Sequence, residues 1–283
     1  MQPTHVPEHE RPRLAIRPKR MAFTFDETTP RYWFDGDPVV THFLNALSCC
    51  FPDGEQYFID SVRFFQDRIE DEALLEDIKG FAGQEKLHSL EHATFNRFLG
   101  ARGYGPIVED AQRMAQMLLK GARIRLTTHE KLASTAALEH ITAILAHSLL
   151  ADEAVIGAMH ENARVLWMWH AIEEFEHKAI AYDVYEDVDG RPLKRKALLV
   201  TGTLFLAAYT LVYTSKLLAH DGCHRRPLVI ARGLRRLFGP KGIITRAIPA
   251  YLDFFADDFH PWQHANEALV MKYRDELARL AQK

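Results

Sequence analysis

The sequence predicts an all-α protein, a four-helix bundle followed by additional C-terminal helices. Two observations carry this reading. From Val39 onward apolar residues recur at helical spacing, and turn clusters are few. Alternating β-branched runs are scarce, which leaves little material for strands. The 47% hydrophobic content of the 283 residues is enough to fill a sizeable core.

The elements follow in order. Residues 1–37 read as an irregular, strand-poor arm without the apolar stretch of a signal peptide. The bundle is expected over residues 38–190 and the extension over residues 191–283. A first long helix is predicted from Pro38 to Ile69, with a break near Phe51-Pro52-Asp53-Gly54 because proline favours a helix start. A second runs from Asp71 to Leu99 and stops at the Gly100–Pro106 cluster. A linking helix is expected from Val108 to Arg125. The third long helix starts at Thr127 or Thr128; Thr127 with Glu130 completes a capping box. The fourth is read as one helix from Ala154 to Val188, bent between Met159 and Arg164. Residues 197–215 carry no charge and follow Lys194-Arg195-Lys196. They predict a buried or interfacial helix, with a membrane span as the alternative. The tail reads as short helices, with Arg232, Arg235, Arg236 and Lys241 forming a basic patch that faces water, with a membrane surface as the alternative.

Charge and cysteines exclude several classes. A formal charge of −3 gives no reason to expect nucleic-acid binding. Cys49, Cys50 and Cys223 form neither a disulfide framework nor a CxxC zinc motif, so the expected compartment is the cytoplasm. Histidine, at 15, is the residue type that stands out.

The chemistry lies in an echo between the two halves. Glu55 is followed one helix hairpin later by Glu85-x-x-His88, and Glu139 by Glu174-x-x-His177. Positions i and i+3 share a helix face, so each Glu-x-x-His can grip one ion with an oxygen and a nitrogen. Two such pairs, with one Glu from each remaining helix, form the ligand set of ferritin-like dinuclear bundles. Close-set divalent ions need several carboxylates to offset their charge. Among the neighbours Phe81, Leu87, Leu90, Ile172, Phe175 and Ile180, these side chains read as an interior layer. His170 shares the face of Glu174 and His177 and is a seventh candidate ligand. His92 reads as a partner standing behind a ligand, His140 as structural, and His147 as a candidate for the cavity wall. Glu173 competes with Glu174 for the face of His177; the echo selects Glu174, leaving Glu173 and Glu176 solvated or behind the ligands.

The stretches Asn45–Glu55, Phe81–His88 with His92, and Trp169–Lys178 resemble the bacterial family of predicted metal-dependent hydrolases, from about Phe34 to the tail. The resemblance implies a ferritin-like fold and metal-dependent chemistry. The pattern His170-x-x-x-Glu174-x-x-His177 is also locally similar to the fourth helix of di-iron arylamine N-oxygenases. That similarity implies that His170 joins the cluster.

Three functions follow as expectations. The carboxylate-rich set points first to an oxygen-activating oxygenase or oxidase holding two metal ions, iron before manganese or zinc. It would act on a small apolar or aromatic substrate and draw on an external electron donor. The alternative is hydrolysis assisted by the metals, as the family name suggests. The third is iron oxidation or metal handling. A homodimer and membrane association through residues 197–215 are expected partners.

Overall fold

The computed structural model describes residues 16–21, 23–264 and 267–280. The first fifteen residues of the expected arm lie outside the described residues. From Pro38 onward the described residues are mainly helical, and among the described residues only an isolated bridge between Phe34 and Met159 has β character.

Helix α1 spans Pro38–Arg63, α2 Glu72–Leu99, α3 Gly105–Arg125 and α4 Thr128–Leu150. Then come α5 (Glu153–Gly157), α6 (Glu161–His177), α7 (Ile180–Val188) and α8 (Pro192–His220). The chain ends in α9 (Pro227–Phe238), α10 (Ile243–Asp253) and α11 (Glu267–Leu280). The starts are written in the sequence. Asp37 and Asp71 cap α1 and α2 by accepting from the amides two and three residues on. Thr127 and Glu130 form both halves of a capping box on α4. Gly103, at φ 99°, takes the left-handed turn that ends the second helix and begins the crossover.

α1, α2, α4 and α6–α7 form the bundle. Ser48 meets Asn96 while Pro52 meets Ser89, so α1 and α2 are antiparallel. Glu85 faces His177 while His92 meets His170, so α2 and α6 are antiparallel as well. The crossover α3 packs on α1. An outer layer follows: α8 across α1 and α4, α10 on α4, α9 on α1 and α10, and α11 on α6. Two apolar clusters form the core. Leu44, Leu47, Phe95, Leu99 and Leu166 belong to one, Phe58, Val62, Phe81, Leu132 and Tyr185 to the other. Along α1 and α2 the predicted ligands Glu55, Glu85 and His88 fall between these clusters, and His177 lies between them at the end of α6.

Three expectations are corrected. α1 does not break at Phe51–Gly54; it runs straight through Pro52. Proline removes the amide that would bond the carbonyl of Ser48, and the Asn96 side chain donates to that carbonyl instead, at 2.9 Å. The fourth helix is not one piece. It is interrupted before Glu161, where the His160 amide leaves the helix to bond the carbonyl of Trp33, and again at Lys178–Ala179. Leu90 is no wall of the interior layer, because it is 44% exposed.

Candidate metal centre

All seven predicted ligands converge. Glu55, Glu85, His88, Glu139, His170, Glu174 and His177 are each at most 5% exposed. Glu85, His88, Glu174 and His177 offer ligand atoms within 4.8 Å of one another, and so do Glu55, His88 and His170. Glu139 joins through His177, whose Nδ1 lies 3.0 Å from Glu139 Oε2. The two groups share His88, so the layer is continuous across the bundle.

What these atoms lack is more telling than what they touch. Among the described residues, both oxygens of Glu55, both oxygens of Glu85, Glu139 Oε1, Glu174 Oε2, His88 Nδ1 and His177 Nε2 have no hydrogen-bond partner. Buried polar atoms without partners are rare, because each one costs about 1–3 kcal/mol. Here they cluster and face one another. His177 Nε2 lies 3.2 Å from Glu85 Oε1, and His88 Nδ1 lies 3.8 Å from Glu174 Oε1. Carboxylate oxygens and imidazole nitrogens gathered in a dry interior make a donor set for divalent cations, and the residues fit that role.

Titration behaviour follows from the same crowding. Burial, followed by repulsion from the neighbouring carboxylates, holds Glu55 and Glu85 well above the usual carboxylate range. Burial pushes Glu139 up to about 7, against the pull of His177. Burial opposes the charge on His177, but Glu139 and the other carboxylates outweigh it and hold His177 at about 9. Burial likewise opposes ionisation of Glu174, yet His170 and His177 bring it below the usual range. His88 is kept neutral by burial and by the neighbouring histidines. Without bound cations, protons do part of the neutralising.

Behind the ligands stand fixed partners. Glu173 Oε2 accepts from His88 Nε2 at 3.1 Å, which turns His88 Nδ1 toward the layer. Burial and then Glu176 push Glu173 up to about 8. Glu176 is held by Gln84 and Arg274. Both glutamates thus sit behind the ligands rather than in solvent.

A longer chain of bonds starts at Pro52. The orphaned carbonyl of Ser48 can only accept, so Asn96 must present its NH₂ there and its Oδ1 to Ser48 Oγ, which donates at 2.8 Å. Ser48 Oγ then accepts from His92 Nδ1 at 2.9 Å. Burial keeps His92 neutral, so its Nε2 accepts from His170 Nδ1 at 2.6 Å. His170 Nε2 is left facing Glu174 Oε1 at 2.8 Å. With a cation in the layer, that nitrogen would direct its lone pair at it. Sequence reasoning did not find Ser48 or Asn96 as members of this chain. The signal was present: a proline inside a helix leaves a carbonyl that needs a donor.

An apolar pocket reaches the layer at His170 and Glu174. Its walls include Leu47, Phe51, Ala146, Leu149, Trp167 and Leu206. Thr142 also borders it, bonding its own helix at Glu139 O. Two other histidines stand apart. His140 is buried and bonds the carbonyl of Ala250, which ties α4 to α10. His147, a candidate for the cavity wall, lies instead against Phe175 and is not among the pocket's lining residues.

Fold and site together define an all-α bundle with a buried carboxylate–histidine layer suited to metal ions. The chain belongs to the family described as predicted metal-dependent hydrolase, whose model matches residues 17–265. No curated protein and no solved structure matches the chain. The comparisons lend no support to the local similarity with arylamine N-oxygenases.

Proposed function

We propose that this protein is a hydrolase of apolar substrates, assisted by two divalent ions held by Glu55, Glu85, His88, Glu139, His170, Glu174 and His177. The observation that carries the metal reading is the set of buried ligand atoms facing one another without partners. Two overlapping ligand groups favour two ions over one. Family membership favours hydrolysis over oxygen activation and so reverses the order in which the ligand types alone place them. When bound, the ions would lower the pKa of water and polarise a carbonyl or phosphoryl oxygen.

The chain's own groups do the rest. The carboxylates supply the negative charge that keeps the ions. Phe51, Trp167 and Leu206 exclude bulk water and seat an apolar group beside the layer. His170 Nε2 and Glu174 Oε1, 2.8 Å apart, border the pocket and so place two of the proposed ligand atoms where the substrate would enter. The lining offers no cationic side chain from Lys or Arg to pair with an anionic substrate, which favours a neutral ester or amide.

Oxygen activation is the second reading, favoured by the excess of carboxylates over imidazoles in a bundle of this form. One experiment separates the two. Protein loaded in turn with zinc, manganese and iron is assayed for metal content, for hydrolysis of acyl esters of increasing chain length, and for oxygen uptake on reduction. Hydrolysis with redox-silent metal is expected. Oxygen consumption with iron alone and no hydrolysis with any metal would shift the assignment to an oxidase.

A further inference from the structure

The outer layer has a property the metal layer does not explain. α8 is the one helix among the described residues long and apolar enough to cross a membrane, yet only 28% of its most apolar window is buried. One face, with Leu199, Tyr209, Tyr213 and Leu217 buried, packs on α1 and α4 and bonds α3 through the hydroxyls of Tyr209 and Tyr213. The opposite face exposes Val200, Leu204, Phe205, Leu211 and Val212, with Leu204 66% and Leu211 69% exposed. A core helix would hide this face.

The neighbouring helices extend the surface. Thr203 of α8 donates to the Tyr251 hydroxyl of α10, and α10 packs on α9. α10 exposes Ile248 and Leu252, and α9 exposes Leu228, Leu234 and Phe238. The pocket that ends at His170 and Glu174 is lined on this side by Leu206 of α8 and Ile243 of α10.

Charge identifies the occupant. Between Asp221 and Asp253 the sequence holds no Asp or Glu, although the whole chain carries a formal charge of −3. In that stretch Arg236 pairs with Asp35 and Asp37, and Arg246 with Asp152. Arg225, Arg226, Arg232, Arg235 and Lys241 are exposed. Arg232 and Arg235 lie on the outward side of α9 beside Leu228. An apolar face edged by basic groups is the pattern of a helix lying in a membrane interface.

We propose that the outer faces of α8, α9 and α10 dock onto an anionic lipid surface, lying on it rather than spanning it. Apolar side chains then enter the acyl boundary while Arg232 and Arg235 meet the headgroups. This inference stands apart from the metal reading, because it uses none of the metal-layer residues.

The test is flotation of the full chain with vesicles of phosphatidylcholine alone, or with roughly a third phosphatidylserine, at low and high salt. Flotation with the anionic vesicles, weakened by salt, is expected. The variant Arg232→Glu/Arg235→Glu should lower partitioning by about tenfold or more. Leu204→Asp/Leu211→Asp, on solvent-facing positions, should lose it as well, with circular dichroism and melting unchanged. Equal partitioning into neutral and anionic vesicles, or none into either, would overturn the proposal. So would a dimer in solution that Leu204→Asp/Leu211→Asp converts to monomer without any vesicle binding, since the face would then belong to a second copy of the chain.

Discussion

Two of the buried histidine–carboxylate clusters among the described residues are built in opposite senses. At the end of α8, Asp221 accepts from His42 Nε2 at 3.0 Å, from Tyr104 at 2.7 Å and from Arg31 at 2.7 Å. One carboxylate meets several donors, and the burial that would raise its pKa is overcome by His42 and Tyr104, which hold Asp221 far below the usual range. In the metal layer four carboxylates meet three imidazoles, and most of their inward atoms have no partner. The tautomer devices are reversed too. Trp33 donates to Asn45, and Asn45 donates to His42 Nδ1, so the His42 proton sits on Nε2 and is spent on Asp221. The chain from Pro52 makes His170 donate through Nδ1, which leaves Nε2 for the layer. A buried cluster with its donors and acceptors matched is a joint of the fold. One with excess acceptors is suited to hold cations.

Substitutions at the two clusters should therefore part company. The largest effect is expected for Glu85→Ala and His177→Ala, which should abolish stoichiometric metal binding and the activity that depends on it while keeping the helix content. Because burial and the neighbouring carboxylates oppose ionisation of Glu85, so that the metal-free fold must hold a proton there, metal-free Glu85→Gln should be more stable than the metal-free parent by about 1 kcal/mol or more. Elemental analysis and thermal melting check both halves. Full metal occupancy in Glu85→Ala and His177→Ala would overturn the site.

Asp221→Asn tests the other side. It weakens the acceptor for His42, Tyr104 and Arg31 at once, so a loss of roughly 3 kcal/mol is expected, with metal content unchanged. If this variant melts with the parent, the His42–Asp221 cluster is no joint of the fold.

His92→Phe should have a smaller effect. It keeps an aromatic ring beside Phe51, whose ring centroid lies 4.7 Å from that of His92, but removes the acceptor that orients His170. Metal affinity should fall by about 10- to 100-fold, the range for residues that orient a ligand from behind. Competition with a chelator measures it. Asn96→Leu should shift affinity in the same direction, because it breaks the chain two bonds earlier.

How much of this was legible differs by element. The convergence of the candidate side chains was readable because two Glu-x-x-His pairs and two lone glutamates carry their geometry in their spacing. The helix caps were readable because they are local: Thr127 and Glu130 need only each other. The continuity of α1 was not, because what rescues Pro52 is Asn96, distant in sequence and on another helix. The fate of residues 197–215 was out of reach for the same reason. An uncharged helix has the same sequence whether its outer face meets protein or solvent, and only the packing on α1 and α4 shows that half of α8 is left uncovered. Leu90 failed on a simpler count: apolar residues beside a ligand in sequence point away from it around the helix.

The smallest predicted effect, on pH, isolates the metal layer from everything else. Glu139, Glu173 and His177 bind protons in the metal-free fold with values near 7, 8 and 9, each above its ordinary value of 4.5, 4.5 and 6.5. A group raised in this way stabilises the fold below its unfolded pKa, and that contribution is lost as pH rises through the folded one. His88 and His92 run the other way, but their change is complete once pH exceeds the ordinary 6.5. Lys178, lowered by burial to about 8, lies in both forms and cancels in a comparison. Asp221 titrates far to the acid side, and Tyr104, raised by burial and by Asp221, far to the alkaline side. Between pH 7 and pH 9, then, metal-free protein should lose stability as the layer gives up protons and its carboxylates repel one another. Metal-loaded protein should lose less, because ligation would replace the protons of Glu139 and His177. The gap between the two melting temperatures should widen steadily across that window, and it should stay flat in His177→Ala, which holds no metal to replace the proton. A gap that narrows with rising pH in the parent would mean that protons and cations do not compete for this layer.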